Sequence, residues 1–218
     1  MRSPAPGPVE VKLEVGRWAL SLLQPRDVDA LLDEDAFAVD EYIPYWAELW
    51  PSGLALAEHV TTLELSSRRA LELGCGLGLP SLVASLEGAD VVATDWSREA
   101  IGLLRQNAMR NGVSLRTLVA DWRDPVRLLP LAPLDLVLAA DVLYEARNVE
   151  PLLALLEKLG APALIADPGR RHADTFLAGA AAAGWQIVTQ CHKRVPRGGI
   201  HRLAPPAVVR RLPPGDAE

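Results

Sequence analysis

The sequence is poor in cysteine and in aromatic residues, and it has no long uncharged apolar run. Of its 218 residues, two are cysteines, Cys75 and Cys191, and 5% are aromatic. Two cysteines so far apart do not suggest a zinc knuckle or a disulfide framework, and their scarcity favours a reducing compartment. Residues 1–8 lack the apolar core of a secretory signal, and no uncharged apolar run reaches the roughly 18 residues of a membrane-spanning helix. We therefore expect a cytoplasmic protein with no metal site and no membrane partner.

Charge is unevenly distributed along the chain. The net charge is -6, and 23% of the residues are charged against 50% that are hydrophobic, so the chain can bury a core and shows no signature of nucleic-acid binding. Residues 27–67 include ten acidic residues and no lysine or arginine, whereas residues 175–215 include six basic residues and no carboxylate. Two interpretations are open: the two regions neutralise each other in the fold, or the acidic region attracts a cationic substrate.

Short apolar runs alternate with helix-length segments from about residue 70 onward. This alternation is typical of strand-helix units around a parallel sheet and predicts an α/β protein. The predicted strands are 69–73, 90–94, 115–120, 134–140 and 163–166, followed by a strand pair at 185–191 and 200–210. The predicted helices are 78–86, 98–110 with Ser97 as N-cap, 147–159 and 171–183.

The whole chain is expected to form one domain over residues 1–218. An N-terminal extension reaches residue 43, the core covers 44–212, and 213–218 form a frayed tail. In the extension, strands at 9–15 and 17–23 flank Gly16 like a hairpin, and a short acidic helix is predicted near 28–33.

A glycine-rich loop is the strongest local signal. Glu72 precedes Gly74, Gly76 and Gly78, in a segment that follows a predicted strand and begins a predicted helix. Glycines there permit a tight turn and a close approach of a ligand to the helix N-terminus. The spacing differs from the dinucleotide pattern G-x-G-x-x-G, and Asp95 at the end of the second strand is placed to bind both hydroxyls of a ribose. This pattern fits a ribosyl ligand with a cationic end; alternatively, the glycines only close a strand-helix turn and Asp95 caps the next helix.

These motifs resemble those of class I S-adenosylmethionine-dependent methyltransferases. The resemblance covers roughly residues 44–190 and implies a Rossmann-like sheet of seven mostly parallel strands, with the last strand antiparallel and helices on both faces. It implies S-adenosyl-L-methionine as cofactor. The residues that it assigns to this cofactor are Glu72, Gly74, Gly76 and Gly78 at the methionine end, Asp95 at the ribose, Asp121 at the adenine amino group, and Trp96 and Trp122 as flat apolar surface beside the adenine.

Two further segments are similar to the seven-strand protein-lysine methyltransferases, and most of all to the electron-transfer-flavoprotein beta-subunit lysine methyltransferase group. They are residues 44–53 (P-Y-W-A-E-L-W-P-S-G) and 141–145 (D-V-L-Y-E), and 167–170 (D-P-G-R) is similar as well. The resemblance implies that Asp141 and Tyr144 lie beside the transferred methyl group and that Trp50 packs near the cofactor. Trp46 and Glu145 are assigned to the substrate. From about Cys191 onward the chain matches no pattern.

A lysine acceptor has to lose its proton before it can accept a methyl group. With an ordinary pKa of about 10.4, holding a lysine amine neutral at pH 7 costs roughly 4 to 5 kcal/mol. A nearby carboxylate opposes this loss, so Asp141 is expected to capture and orient the nitrogen rather than act as a strong base. Tyr144 and Trp46 would line the channel and favour a cation. The alternative for Asp141 and for Glu145 is a role at the start of the following helix.

The sequence thus predicts an S-adenosylmethionine-dependent N-methyltransferase, acting as a monomer on a lysine of a protein substrate. Two alternatives stay open: a methyltransferase for a small cationic amine, and a non-catalytic module that keeps the cofactor fold. A dehydrogenase is disfavoured because the third glycine of the dinucleotide pattern is missing.

Overall fold

A computed structural model describes residues 7–28 and 44–206. A two-stranded hairpin is formed by β1 (Val9–Val15) and β2 (Trp18–Gln24). The strands of the seven-stranded sheet are β3 (Arg69–Leu73), β4 (Asp90–Asp95), β5 (Arg116–Val119), β6 (Leu136–Ala140), β7 (Ala163–Asp167), β8 (Gln186–Gln190) and β9 (Gly199–Ala204). The α-helices in the described part of the chain are α1 (Pro51–Val60), α2 (Leu79–Leu86), α3 (Arg98–Arg110), α4 (Val149–Leu159) and α5 (Arg171–Ala182).

The strand order is β5-β4-β3-β6-β7-β9-β8. Strands β3 to β7 pair in parallel, whereas β9 is antiparallel to both of its neighbours, β7 and β8. The predicted α/β fold with an antiparallel last strand is therefore confirmed, as is the N-terminal hairpin. A parallel sheet is covered on both faces, which explains the unbroken apolar runs 136–140 in β6 and 163–166 in β7.

Helices pack on both faces of the sheet. On one face, α1, α2 and part of α3 join the hairpin in a core that includes Leu22, Leu56 and Leu82. On the other face, α4 and α5 cover a second core that includes Leu156 and Phe176. These side chains are fully buried, and truncating one to alanine is expected to cost about 2 to 5 kcal/mol.

Helix α3 begins and ends as the sequence predicts. The Ser97 hydroxyl accepts a hydrogen bond from the backbone N–H of Ala100 at 3.1 Å, and Glu99 lies in the first turn. Such an N-cap stabilises a helix by about 1 kcal/mol. The helix ends at Arg110, and Gly112 follows with a φ of 63°.

Several element boundaries differ from the predictions. The turn between β1 and β2 includes Arg17, so β2 begins one residue later, and β5 is shorter than predicted because edge strands have fewer pairing constraints. Residues 146–148 form a 3-10 turn before α4. Strand β9 ends at Ala204, while residues 207–210 of the predicted strand, residues 29–33 of the predicted acidic helix and the tail over 213–218 lie outside the described residues.

The acidic and basic regions meet at one place in the structure. Glu58 in α1 accepts hydrogen bonds from Arg194 at 2.6 and 2.9 Å and lies 3.2 Å from His192. The hydrogen bonds from Arg194 lower the pKa of Glu58. At this position the two regions neutralise each other.

No α-helix in residues 7–28 and 44–206 is long and apolar enough to cross a membrane. Within the same ranges, no group of three or more His, Cys, Asp or Glu side chains could hold a metal ion. Cys75 is buried and Cys191 exposed, and neither is in a disulfide.

Candidate active site

A cleft opens at the carboxyl ends of the central strands, where ligands bind in open parallel sheets. It encloses about 760 Å³, part of it continuous with solvent. Eleven residues predicted for the site line it: Trp46, Trp50, Glu72, Gly74, Gly76, Gly78, Asp95, Trp96, Trp122, Asp141 and Tyr144. The structure therefore brings the residues predicted for the cofactor and for the acceptor into one cavity.

The glycine loop adopts a backbone that larger residues would strain. Gly74 has a φ of 64°, and a Cβ atom there would lie 3.0 Å from Val142 and 3.1 Å from Trp122. Gly78 has a φ of 80° and is the N-cap of α2. The loop is thus packed closely against the cleft wall, and the N-terminus of α2 begins directly behind it.

Glu72 is a buried carboxyl group beneath the loop. Its Oε2 atom accepts hydrogen bonds from the backbone N–H of Ser81 at 2.9 Å and from the Ser81 hydroxyl. Burial raises the pKa of Glu72 to about 8, and the hydrogen bonds from Ser81 only partly oppose this. At pH 7 this group is therefore mostly protonated.

Asp95 joins the end of β4 to the glycine loop. Its two oxygens accept hydrogen bonds from the backbone N–H groups of Gly76 and Ser97, each at 2.9 Å. Burial raises the pKa of Asp95 to about 6, against the lowering effect of these hydrogen bonds. A carboxylate oxygen can accept more than one hydrogen bond, so Asp95 can hold the loop and still accept hydroxyl groups of a ligand.

The two tryptophans that follow acidic residues differ in their exposure. Trp96 is 42% exposed, whereas Trp122 is 9% exposed and packs against Gly74. Among the described residues, the indole nitrogen of Trp122 has no hydrogen-bond partner. Asp121 is not among the residues lining the cleft: its carboxylate accepts hydrogen bonds from Arg123, from the backbone N–H at 2.8 Å and from the side chain. Contact between Asp121 and an adenine stays a prediction.

Three aromatic side chains form one wall of the cleft. The ring centroids of Tyr45 and Tyr144 are 4.9 Å apart, and those of Tyr45 and Trp50 are 6.2 Å apart. The indole N–H of Trp50 donates to the carbonyl oxygen of Tyr45 at 2.7 Å. Tyr45 had no predicted role, although it lies in the segment 44–53 that carried the resemblance. Burial raises the pKa of Tyr144, so its phenol stays protonated at neutral pH.

Trp46 contributes its backbone to the site as well. A Cβ atom on Gly76 would lie 3.0 Å from the carbonyl oxygen of Trp46. The 3-10 turn Tyr45–Ala47 therefore packs directly on the glycine loop. The segment before α1 thus forms part of the cleft wall beside the glycine loop.

Asp141 directly follows β6 and has an unusual backbone conformation. Its φ is 58°, a region that few residues other than glycine adopt, and its N–H donates to the carbonyl oxygen of Ala166 at 2.9 Å. Its carboxylate accepts hydrogen bonds from Arg170 Nε at 2.6 Å and from the Ser52 hydroxyl at 3.2 Å. Sequence reasoning assigned no role to Arg170 or Ser52.

Glu145 is not among the residues that line the cleft. Its carboxylate pairs with Arg147, two residues further along the chain. The role of Glu145 in binding substrate stays a prediction, with this local ion pair as the observed contact.

Arg170 is held by a tight turn after β7. The Oδ1 atom of Asp167 accepts the backbone N–H groups of Gly169 and Arg170, both at 2.7 Å. Burial raises the pKa of Asp167, and its Oδ2 atom has no hydrogen-bond partner among the described residues. The segment before β9 covers this turn, because any Cβ atom on Gly198 would collide with the carbonyl oxygen of Asp167.

The segments that form this cleft are also those that match a known protein family. The model of the lysine methyltransferase family matches residues 45–177, which is more than half of the chain. The chain belongs to the lysine methyltransferase family. The match includes the aromatic wall, the glycine loop, Asp95 and the turn that bears Arg170, and the predicted resemblance is confirmed.

Relatives of this lysine methyltransferase family member differ in the acceptors that their names give. The chain is 33% identical over 143 residues to the electron transfer flavoprotein beta subunit lysine methyltransferase of Danio rerio, covering 58% of this chain and 51% of that protein. It is 28% identical over 137 residues to histidine protein methyltransferase 1 homolog of Dictyostelium discoideum, covering 60% of this chain and 44% of that protein. It is 31% identical over 114 residues to histone-arginine methyltransferase METTL23 of Homo sapiens, covering 50% of this chain and 60% of that protein. The chain spans about half the length of the curated relatives that it matches.

Solved methyltransferase structures share the fold of this lysine methyltransferase family member. The 16S rRNA N2 G1207 methyltransferase of T. thermophilus superposes with a TM-score of 0.66 at 15% identity, covering 94% of this chain and 52% of that one. Magnesium protoporphyrin IX methyltransferase of Synechocystis gives a TM-score of 0.58 at 16% identity, covering 81% and 95%. At such identities the similarity shows the fold alone.

Proposed function

We propose that the protein is an S-adenosylmethionine-dependent methyltransferase that acts on a lysine side chain of a protein substrate. The observation that carries the proposal is the cleft itself: the glycine loop with Asp95 lies in the same cavity as Asp141 and Tyr144. Membership of the lysine methyltransferase family supports this interpretation.

The residues at the glycine loop fit S-adenosylmethionine. Asp95 is a buried carboxylate at the end of β4 with lone pairs left for ribose hydroxyls. The loop backbone allows close approach of the methionine end, and Trp96 is exposed enough to cover a flat base. When bound, the cofactor supplies a methyl group on a positively charged sulfur; the acceptor nitrogen gains that methyl group, and the sulfur keeps the electron pair of the broken bond.

The opposite side of the cleft fits an amine acceptor. The aromatic wall of Tyr45, Trp50 and Tyr144 suits an aliphatic chain that ends in a cation or a methylated amine. Asp141 is 8% exposed and lies in the same cavity. Positioning of donor and acceptor is the chief contribution that such a site makes, and it is worth up to about 7 to 11 kcal/mol.

Labelling with methyl-tritiated S-adenosylmethionine tests the proposal. The protein is incubated with the labelled cofactor and a cell lysate, and labelled proteins are hydrolysed for amino-acid analysis. We expect label in methylated lysine of one or a few proteins, and less label with Asp95→Ala. Label in histidine or arginine would support a protein methyltransferase but exclude lysine as the acceptor. Label confined to small molecules would instead support the small-amine alternative.

Other expectations stay proposals as well. We propose a single domain over residues 1–218, a monomer, a cytoplasmic location and no nucleic-acid partner. The net charge of -6 and the scarcity of cysteine support the last two. Light scattering of the purified protein tests the monomer, and a species of twice the 23.5 kDa chain mass would contradict it.

A further inference from the structure

The carboxylate of Asp141 is already paired in the structure. Arg170 Nε donates to its Oδ1 atom at 2.6 Å, and the Ser52 hydroxyl donates to its Oδ2 atom at 3.2 Å. Asp141 lines the cleft, whereas Arg170 is outside the set of residues that line it. Arg170 therefore contacts the carboxylate without itself lining the cleft.

The position of Arg170 is fixed by the turn that bears it. Asp167 binds two backbone N–H groups of this turn, and Gly169 has a φ of 96°. A Cβ atom on Gly169 would lie 2.8 Å from the backbone of Arg197, so the segment before β9 packs on the turn. The backbone from which the Arg170 side chain extends is therefore held from both sides.

We propose that Arg170 is a positioning residue that holds Asp141 in a neutral ion pair and thereby favours the uncharged form of the acceptor amine. This inference rests on the proposed function. A carboxylate without a partner would stabilise the ammonium form of a lysine next to it. The guanidinium of Arg170 cancels that effect, while Asp141 keeps lone pairs with which to orient the amine.

Other charged groups around Asp141 do not supply this compensation. Among the described residues, the titratable groups around its carboxylate come from three places. Arg170 and Asp167 belong to the turn after β7, and Tyr144 and Glu145 to the segment after β6. The other walls of the cleft contribute Tyr45, Glu48, Glu72, Cys75 and Asp95. The acidic groups that are ionised would favour a charged amine, whereas Glu72, which is mostly protonated at pH 7, contributes little. Within residues 7–28 and 44–206, Arg170 is the cation that contacts Asp141, so its loss should leave the acceptor in a negative site.

Arg170→Gln tests the inference through the pH dependence of methylation. The acceptor is the protein that the wild type labels in the lysate experiment, and kcat and KM are measured from pH 6 to pH 10. We expect the acidic limb of the kcat profile to move up by about one pH unit, which lowers kcat about tenfold at pH 7 and hardly at all at pH 10. The KM for the acceptor should fall at pH 7, because the site then attracts the ammonium form more strongly.

Two further variants serve as references. Arg170→Lys keeps the positive charge and should restore most of the wild-type profile. Arg171→Gln removes a charge from the next residue, which is exposed at the start of α5, and should leave the profile unchanged. Unchanged binding of S-adenosylhomocysteine and an unchanged melting temperature in Arg170→Gln would show that its fold is intact.

Calorimetry gives a readout that does not depend on turnover. Binding of the acceptor protein to the S-adenosylhomocysteine complex is measured in buffers with different ionisation enthalpies, which reports protons released on binding. The wild type should release close to one proton near pH 8, and Arg170→Gln clearly fewer. Equal proton release, or equal loss of kcat at every pH, would overturn the inference and leave the proposed function standing. A wild type that labels no lysine would overturn both.

Discussion

The side chain of Asn107 donates a hydrogen bond to the carbonyl oxygen of Leu77 at 3.3 Å. The same side chain accepts the backbone N–H of Leu23 at 2.6 Å and donates to the Leu23 carbonyl oxygen at 3.2 Å. One turn later, Asn111 repeats the pattern with the backbone of Ser21. Hydrogen bonds from side chains of α3 thus connect the helix both to strand β2 of the hairpin and to the glycine loop.

Asn107→Ala should therefore destabilise the protein. It leaves buried backbone groups of Leu23 and Leu77 without their partner, at about 1 to 3 kcal/mol for each group that finds no replacement. Chemical denaturation measures the loss. Asn111 is less buried than Asn107, so Asn111→Ala should lower the free energy of unfolding by a smaller amount. A larger loss for Asn111→Ala would contradict the role assigned to Asn107.

Asp95→Ala should weaken the binding of S-adenosylhomocysteine. Ribose hydroxyls would lose their acceptor, at about 1 to 3 kcal/mol or roughly 5- to 150-fold in affinity. Calorimetry measures the change. Asp90→Ala at the exposed opposite end of β4, where Asp90 pairs with Arg116 at 3.1 Å, is the control and should bind normally. Normal binding by Asp95→Ala would place the ligand elsewhere.

The affinity of the wild type should also depend on pH through Asp95. Its pKa of about 6 means that the carboxylate takes up a proton as the pH falls below that value. Because a protonated carboxyl group accepts hydrogen bonds poorly, the affinity for S-adenosylhomocysteine should be constant above pH 6 to 7 and fall up to about tenfold per pH unit below it. A flat profile between pH 7 and pH 5 would contradict this.

Glu72→Gln should change how stability depends on pH. Burial raises the pKa of Glu72 from 4.5 to about 8, so the folded protein keeps a proton that the unfolded chain releases. The stability linked to this proton is fully present below pH 4.5 and is lost as the pH rises through 8. The variant stays neutral, so the free energy of unfolding should fall less steeply than that of the wild type between pH 5 and pH 8, by up to about 1.4 kcal/mol per unit.

Denaturation at several pH values tests this expectation. Glu157→Gln, on the exposed side of α4, is the matched control and should follow the wild type. If the curves of Glu72→Gln and wild type stay parallel, the carboxyl group of Glu72 is ionised in the folded protein across this range.

Asp141→Ala should lower turnover more than cofactor binding. Asp141 lies on the acceptor side of the cleft, and its ion pair with Arg170 would be lost. We expect S-adenosylhomocysteine affinity within about threefold of the wild type and a loss of methylation of at least about tenfold, since orientation of the acceptor is lost. Equal losses in both measurements would mean that Asp141 belongs to the cofactor site.

Much of the fold follows from local patterns in the sequence. The bounds predicted for β3 match the observed ones, because its apolar residues Ala70, Leu71 and Leu73 directly precede the glycine loop. Helix α3 was predicted from its cap and its stop signal. The predicted bounds of the two edge strands, β5 and β8, are less accurate, since fewer buried neighbours fix where an edge strand stops.

The candidate site was predictable where its residues are close in sequence to a strand end. Asp95 and the glycine loop meet because β3 and β4 are neighbours. The pair of Asp141 and Arg170, which are 29 residues apart, is not predicted from the sequence. It forms because β7 lies beside β6 and because the turn after β7 brings Arg170 to the end of β6. The packing of the segment before β9 on that turn was not predictable either, since no local pattern distinguishes it.

The position of β9 between β7 and β8 has a consequence for synthesis. Strand β8 is made first but is paired to the sheet only by β9. While the ribosome is still adding residues 191–204, β8 has no place to dock and the edge of β7 stays open. A released chain that ends before residue 199 should therefore hold a five-stranded sheet, and proteases should cut it near β8.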